Sequence, residues 1–274
     1  MSALDQVADW AVDNAAAAVV TADGAVAASH GDLEHVFHLA SVTKPLTAYA
    51  VLVAVEEGAI ELDTPAGPEG STVRHLLAHT SGLAFDEERP MAAPGNRRLY
   101  SNAGFEVLSR TVREASGIAF ADYLRDAVFV PLGMTTAKLT GRAGADVVAS
   151  AADLVRFAAE LQAPTLVSPA MLAEATSVAF PGCNGVLPGY GNHKPNDWGL
   201  GVEIRAHKSP HWTGSANSPA TFGHFGQSGT FLWVDPAAGV ACLALSDRAF
   251  GEWAKRAWPA LSDAVLAEVG VADR

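Results

Sequence analysis

Strand-like segments lie at the two ends of this sequence, and that placement limits the possible folds most strongly. Near the N-terminus, AAAAVVT (15–21) and AVAAS (25–29) flank a turn, Ala22-Asp23-Gly24, which predicts a β-hairpin. The other strand-like segments follow residue 195 and are WGLGVEIRA, GTFLWVDP and GVACLALSD. The intervening chain shows the periodicity of amphipathic helices. The sequence therefore predicts an α+β fold in which one antiparallel sheet, built from both chain ends and flanked by terminal helices, lies beside a helical lobe.

The same change between strand-like segments and helical periodicity predicts two structural units. Residues 1–60 and 195–274 are expected to form an α/β sheet domain, and residues 61–194 a helical domain. A chain of 274 residues with 49% hydrophobic residues can bury a large core. Because no repeat or low-complexity linker separates the two units, we expect them to be intimately joined.

Charge and the distribution of apolar residues argue against several classes of partner. The formal net charge is −12 and no run of lysine and arginine occurs, which disfavours nucleic acid and anionic membranes. The longest apolar stretch, Pro45–Val55, is about half of a bilayer span. The N-terminal segment MSALDQVADWAVDN has three aspartates and no basic residue, unlike a signal peptide. With two cysteines, Cys183 and Cys242, no disulfide framework is expected, so we predict a soluble, cytoplasmic protein of undetermined oligomeric state.

The segment HLASVTKPLTAY (38–49) places a lysine at the head of an apolar helix, one turn after a serine. Residues three apart share a helix face, so Lys44 can reach the Ser41 hydroxyl. Burial and the positive end of the helix dipole both disfavour a charged amine there. A neutral Lys44 would accept the Ser41 proton and create a nucleophile. S-x-x-K alone is weak evidence, because a helix-start lysine that extends to solvent is the plain alternative.

Two further segments strengthen the catalytic interpretation. In PGNRRLYSNAGFEVL (94–108), Tyr100 and Asn102 stand before a helix, where the phenol could relay a proton and the amide could position Lys44 and a substrate carbonyl. In FGHFGQSGTFLWVDP (222–236), His224, Phe225 and Gly226 precede a strand, and glycines often mark the close approach of a ligand to a sheet edge. The backbone N–H groups of Ser41 and Gln227 would then form an oxyanion hole. Taken singly, a packing tyrosine and a glycine-rich strand entry are the better explanations of these segments.

Together the three motifs resemble the serine β-lactamase and penicillin-binding superfamily, in particular its branch of class C β-lactamases, DD-peptidases and family VIII esterases. Its S-x-x-K, Y-x-N and [K/H]-x-G motifs match SVTK (41–44), YSN (100–102) and HFG (224–226) in order. VRHLLAHTSGL, PLGM and ASAADLVRF are similar as well, so the resemblance covers nearly the whole chain.

The resemblance implies a role for each matching residue and a two-step hydrolysis without a cofactor. Ser41 would be the nucleophile that accepts the acyl group, and Lys44 and Tyr100 would share proton transfer. Asn102 would orient the substrate. The remaining predicted substrate-binding residues, which would line the opposite wall, are His224, Phe225, Gly226 and Gln227.

The third motif departs from the KTG or HTG of relatives that bind a free carboxylate. His224 replaces a lysine and is largely neutral at pH 7, and Phe225 replaces a threonine that donates a hydrogen bond. We therefore predict a carboxylesterase that acts on small or medium acyl esters or amides. The alternatives are a DD-peptidase or weak β-lactamase, an acyltransferase, and a binding protein that has kept the scaffold without activity.

Other catalytic signals are weak in this sequence. His75 and His79 have the spacing of a metal-ligand pair, but HLLAH lacks the glutamate of H-E-x-x-H and no third ligand is evident, so no metal is expected. The nucleophile elbow G-x-S-x-G does not occur. Trp198, Phe180 and Trp212 are candidates for the lining of an acyl pocket.

Overall fold

The central sheet unites strands from both ends of the chain, in a computed structural model that describes residues 2–272. Its six strands lie in the order β2-β1-β11-β10-β9-β8, and each neighbouring pair is antiparallel. Smaller sheets contain β3-β5-β4 and the hairpin β6-β7. The strands within the described residues are β1 (Ala15–Thr21), β2 (Val26–His30), β3 (Val36–His38), β4 (Lys138–Leu139), β5 (Val147–Ser150), β6 (Gly185–Leu187), β7 (Gly191–His193), β8 (Glu203–Ile204), β9 (Phe222–Gly226), β10 (Thr230–Asp235) and β11 (Val240–Ser246).

Helices pack on both faces of this sheet. A 3-10 helix (Ala3–Asp9) and the C-terminal helix α7 cover one face, and α1 and α5 belong to the other side. The predicted α+β fold with terminal helices and a helical lobe is confirmed. The helices are α1 (Thr43–Glu56), α2 (Val73–Leu77), α3 (Asn102–Ser116), α4 (Phe120–Leu124, continued by a π-helical turn Arg125–Phe129), α5 (Ala151–Glu160), α6 (Pro169–Ala175) and α7 (Glu252–Ala272).

The sheet separates two hydrophobic cores, and β1 shows why. Because successive side chains of a strand point to opposite faces, Ala16, Ala18 and Val20 enter the core shared with α1, while Ala17 and Val19 enter the core beneath α7. The near-continuous apolar sequence of β1 is therefore that of a strand buried on both faces.

Helix α1 runs through the larger core and is buried on every side. Residues from Thr43 to Ala54 are all buried, which matches a segment that is apolar around its whole circumference. Lys44 lies within this buried stretch with no exposed surface.

Among the described residues, no helix combines the length and apolar character needed to cross a bilayer.

Two predicted strand boundaries differ from the structure. The HFG motif precedes the strand β10, as predicted, but it is itself the end of another strand, β9. WGLGVEIRA contributes only the two residues of β8, since the backbone N–H of Gly201 donates to the Leu77 carbonyl instead of a sheet partner. A β-carbon on Gly201 would lie 2.0 Å from the Ala48 β-carbon, so this segment rests directly on α1.

Candidate active site

Ser41 lies in a short 3-10 turn, Ala40–Val42, that connects β3 to α1. The turn is anchored on both sides: the Leu39 N–H donates to Val147 O (2.9 Å), and the Leu39 carbonyl accepts from the Thr230 hydroxyl (2.8 Å). Ala40 has a φ of +46°, a left-handed conformation that costs an alanine about 1–2 kcal/mol. The surrounding hydrogen bonds therefore hold the turn that carries Ser41 in a strained geometry.

Gly226 allows β9 to approach this turn. A β-carbon at position 226 would lie 2.4 Å from Leu39 O, 2.5 Å from the Thr230 hydroxyl oxygen and 3.1 Å from the Ala40 β-carbon. The glycine was expected to admit a ligand, but the group that approaches it is the backbone before Ser41. Its contact with substrate stays a prediction.

The side chains of Ser41, Lys44 and Tyr100 converge as the sequence predicted. Tyr100 OH lies 2.8 Å from Ser41 Oγ, and Lys44 Nζ lies 3.3 Å from the same oxygen. The Lys44 amine also lies 4.6 Å from the centre of the Tyr100 ring. Ser41 thus has a hydrogen-bond donor on one side and an amine on the other.

The hydrogen-bond partners of Lys44 accommodate a neutral amine whose lone pair faces Ser41. Its Nζ lies 2.6 Å from Asn102 Oδ1 and 2.8 Å from the Gly144 carbonyl, both of which only accept hydrogen bonds. A neutral amine has two hydrogens for these acceptors, and its lone pair is then left for the Ser41 proton. Burial, with a smaller contribution from the positive charge of Arg142, lowers the pKa of Lys44 to about 7.

Tyr100 keeps its proton in this environment. Burial raises the pKa of Tyr100 above its usual value, although the hydrogen bond with Ser41 acts in the opposite direction. His224 lies on its other side, with Nε2 3.4 Å from Tyr100 OH. Since His224 Nδ1 donates to the Phe225 carbonyl (2.7 Å), Nε2 is the acceptor of the neutral ring. Burial and the nearby Lys44 lower the pKa of His224 to about 3, so this ring carries no charge at neutral pH.

Asn102 begins α3 and is held by a residue that the sequence analysis did not identify. Its Nδ2 donates to Asp86 Oδ1 at 2.8 Å, which fixes the amide orientation and turns Oδ1 towards Lys44. The Ser101 hydroxyl accepts from the Gly104 N–H and caps this helix. The Y-x-N segment therefore presents its tyrosine and asparagine from a well-defined helix start.

A small apolar cavity of about 60 Å³ opens beside Ser41. Trp198 and Trp212 line it as predicted, whereas Phe180 instead packs on His75 with ring centres 4.5 Å apart. The predicted residues Phe225 and Gln227 also line the cavity, and the Phe225 ring packs 4.9 Å from Phe250 in the core beneath α7. Its full lining is Ser41, Phe85, Tyr100, Leu187, Pro188, Trp198, Glu203, Trp212, His224, Phe225 and Gln227.

The carboxylate of Glu203 lies in the wall of this cavity and is fully paired. It accepts hydrogen bonds from Lys208, from His211 Nε2 (2.8 Å) and from the Trp212 indole N–H (2.9 Å). Burial opposes its ionisation, but His211 and Lys208 hold the pKa of this carboxyl well below its usual range. The cluster fixes Trp212 against the cavity.

His79 lies in an aromatic environment rather than in a metal site. Its ring centre is 4.6 Å from that of Tyr100 and 4.8 Å from that of Trp198, and its Nδ1 accepts from the Ser101 N–H (3.1 Å). Within residues 2–272, no group of three His, Cys, Asp or Glu side chains comes together as a metal site.

The comparisons with known proteins identify the family. A family model described as Beta-lactamase matches residues 4–266. The crystal structure of a beta-lactamase from Mycobacterium bovis is 59% identical, with a TM-score of 0.97 over 98% of this chain and 99% of that one.

Curated relatives match a shorter region. Esterase EstB of Burkholderia gladioli is 34% identical, in a match that covers 36% of this chain and 37% of that protein. The D-alanyl-D-alanine-carboxypeptidase/endopeptidase AmpH of Escherichia coli (strain K12) is 26% identical, in a match that covers 37% of this chain and 36% of that protein. Each match spans about a third of the relative's length. The resemblance seen in the three motifs is confirmed, and the chain belongs to the beta-lactamase family, whose members are serine hydrolases.

Proposed function

We propose that this protein is a carboxylesterase that forms an acyl-enzyme at Ser41 and acts on small or medium acyl esters. The observation that carries the proposal is the arrangement of Lys44 and Tyr100 on either side of the Ser41 oxygen, 3.3 Å and 2.8 Å away. Such a donor and base pair is what the activation of a serine requires.

In the first step Ser41 Oγ attacks the ester carbonyl carbon while its proton passes to the Lys44 lone pair. The backbone N–H groups of Ser41 and Gln227, which line the same cavity, are the proposed donors to the developing oxyanion. The carbon–oxygen bond to the alcohol then breaks, and the leaving oxygen takes the Tyr100 proton. The Lys44 ammonium, whose Nζ lies 4.6 Å from the centre of the Tyr100 ring, then returns its proton to the Tyr100 phenolate, so that Tyr100 is again protonated and Lys44 again neutral.

In the second step a water molecule attacks the acyl-serine and gives its proton to the neutral Lys44. Collapse of the intermediate breaks the bond to Ser41 Oγ, which is reprotonated, and releases the carboxylic acid. No group changes its oxidation state. Lys44 must be neutral at the start of both steps, and its pKa near 7 permits this at neutral pH.

The cavity supports an uncharged substrate with a small acyl group. Among the described residues that line it there is no lysine or arginine to bind a substrate carboxylate, and its one carboxylate, Glu203, is already paired with Lys208 and His211. His224 is neutral above pH 4 because of its lowered pKa, so the third motif supplies no cation. A volume of about 60 Å³ suits an acyl group of a few heavy atoms far better than a drug-sized ligand, which needs roughly 300 Å³ or more.

The test compares substrate classes on one protein by intact-protein mass spectrometry and turnover. We expect p-nitrophenyl acetate and butyrate to be hydrolysed faster than nitrocefin or a D-Ala-D-Ala peptide, with a transient acyl adduct on Ser41. Ser41→Ala should lose turnover by several orders of magnitude. Ser109→Ala is the matched control, because that hydroxyl donates only to a carbonyl of its own helix.

The main competing function is β-lactam or D-Ala-D-Ala hydrolysis, which the name of the 59% identical structure favours. Faster turnover of nitrocefin than of the esters would replace the esterase proposal with this one. Transfer of the acyl group to an added alcohol in preference to water would instead indicate an acyltransferase. Unchanged activity in Ser41→Ala would contradict the nucleophile assignment itself.

A further inference from the structure

Two separate segments supply the acceptors that hold the Lys44 amine. Asn102 Oδ1 comes from the start of α3, and the Gly144 carbonyl comes from the turn between β4 and β5. Each acceptor has an exposed charged residue immediately behind it. These are Asp86 for Asn102 and Arg142 for the turn that carries Gly144.

Asp86 determines which end of the Asn102 amide faces Lys44. Its Oδ1 accepts from Asn102 Nδ2 at 2.8 Å, and an aspartate accepts but does not donate. A rotated amide would place oxygen against oxygen and leave Lys44 facing an N–H group. The backbone carbonyl of the preceding Phe85 also accepts from the Asn102 N–H (2.7 Å), which holds the loop against the helix start.

Arg142 organises the turn that presents the Gly144 carbonyl. Its backbone N–H donates to Asp146 Oδ2 (2.8 Å), and the Asp146 N–H donates back to the Arg142 carbonyl (3.0 Å). Glu106 closes the other side by accepting from the Gly144 N–H at 3.4 Å. The Arg142 side chain joins this turn to Asp86, since its Nε lies 3.4 Å from Asp146 Oδ2 and its Nη1 lies 3.7 Å from Asp86 Oδ1.

We propose that Asp86 and Arg142 are paired positioning residues that hold the two acceptors of Lys44 and adjust, in opposite directions, how readily its amine takes the Ser41 proton. The inference rests on the proposed function only in naming Ser41 as the proton's source. Neither residue belongs to the three motifs of the family.

Charges of opposite sign act on Lys44 from these two positions. The negative charge of Asp86 favours the protonated amine, and the positive charge of Arg142 disfavours it; Glu106 acts in the same direction as Asp86. The remaining titratable groups around the amine lie on the α2–α3 connection and on β9 and are uncharged at neutral pH, namely His79, Tyr100 and His224.

The charge that each substitution removes determines the direction in which the pH profile of acylation shifts. Acylation requires the neutral amine, so the rate rises as pH increases through the pKa of Lys44. Removing the Asp86 charge should move this acidic limb to lower pH, and removing the Arg142 charge should move it to higher pH. Because both side chains are about half exposed, each shift should be only roughly 0.5 pH unit and should shrink in molar salt.

The experiment measures the pH dependence of Ser41 labelling by a fluorophosphonate probe in Asp86→Asn, Arg142→Gln and the double variant. Asparagine can still accept from Asn102, so Asp86→Asn removes charge while keeping the hydrogen bond. Asp86→Ala removes both and should also lower the plateau rate by about tenfold, because Asn102 is released. The matched controls are Asp126→Asn and Arg125→Gln, which remove an exposed ion pair on the helical lobe.

A second readout does not depend on catalysis. The chain has five lysines, so the ¹³Cε resonance of Lys44 can be assigned by its loss in Lys44→Met and titrated directly by NMR. Opposite shifts in the two single variants, cancelling in the double variant, would support the proposal. Superimposable titrations, or shifts of the same sign, would overturn it. If the probe fails to label the wild-type protein while the NMR titrations shift as expected, the proposed hydrolase function fails and this inference stands.

Discussion

Replacing Gly226 with alanine tests how tightly β9 supports the turn that carries Ser41. The new β-carbon would lie 2.4 Å from Leu39 O and 2.5 Å from the Thr230 hydroxyl oxygen, whereas ordinary contact begins near 3.4 Å. The Leu39 carbonyl must therefore move by about 1 Å, against the hydrogen bond that Thr230 donates to it. Overpacking of this kind costs about 1–3 kcal/mol of the free energy of unfolding, and a nucleophile misplaced by this distance can lose about 100-fold in rate.

Thermal and urea unfolding, together with ester turnover, measure both effects. Gly104→Ala is the matched control, since a β-carbon at that helical position would lie 3.5 Å from Leu76, in ordinary contact. It should stabilise the protein by about 0.4–1 kcal/mol by restricting the unfolded chain. If Gly226→Ala keeps wild-type stability and turnover, the close approach of β9 does not position Ser41.

Three further results follow from the site. Because burial lowers the pKa of Lys44 to about 7, the acylation rate in stopped-flow measurements should reach half of its plateau near pH 7 and fall about tenfold per pH unit below pH 6. A flat pH profile would argue against Lys44 as the base. Tyr100→Phe keeps the packed ring but removes the hydroxyl donor 2.8 Å from Ser41 Oγ, so kcat should fall about 10²–10⁴-fold while the free energy of unfolding stays unchanged. An unaltered kcat would exclude a proton-transfer role for Tyr100. Leu187→Ala should enlarge the cavity and shift the chain-length profile of p-nitrophenyl esters towards longer acyl groups, at a cost of about 2–5 kcal/mol in stability; an unshifted profile would place the acyl group elsewhere.

The sequence predicted those parts of the molecule whose signals are local. Ser41 and Lys44 could be paired from their spacing alone, although Ser41 lies in a 3-10 turn just before α1 rather than in the helix. The hairpin β1–β2 also follows from short-range chemistry. The fold class followed from the position of the strand-like segments in the chain.

Other features depend on long-range contacts and left no readable signal. The segment FGHFG was interpreted as a glycine-rich approach to a strand, yet it is a strand itself, and its glycines face other backbone segments. Asp86 stands beside Glu87 and Glu88 in an acidic loop, and its bond to Asn102 cannot be told from the sequence. Gly144 accepts from Lys44 through its backbone carbonyl, and because every residue has this group, the contact left no sign in the sequence. Glu203 gave no sign of its partners, because they come from a loop that folds back behind it.

The pairing of β1 with β11 delays completion of the central sheet during synthesis. Ala15 pairs with Ser246, so the apolar strand β1 waits for its neighbour until residues 16–245 have been made. At ribosomal speed the delay is roughly 10 to 50 seconds. During that interval one edge of β1 is open to any other extended segment. Nascent chains halted before β11 should therefore be the species that aggregates or recruits chaperones, and they should lack a reactive serine.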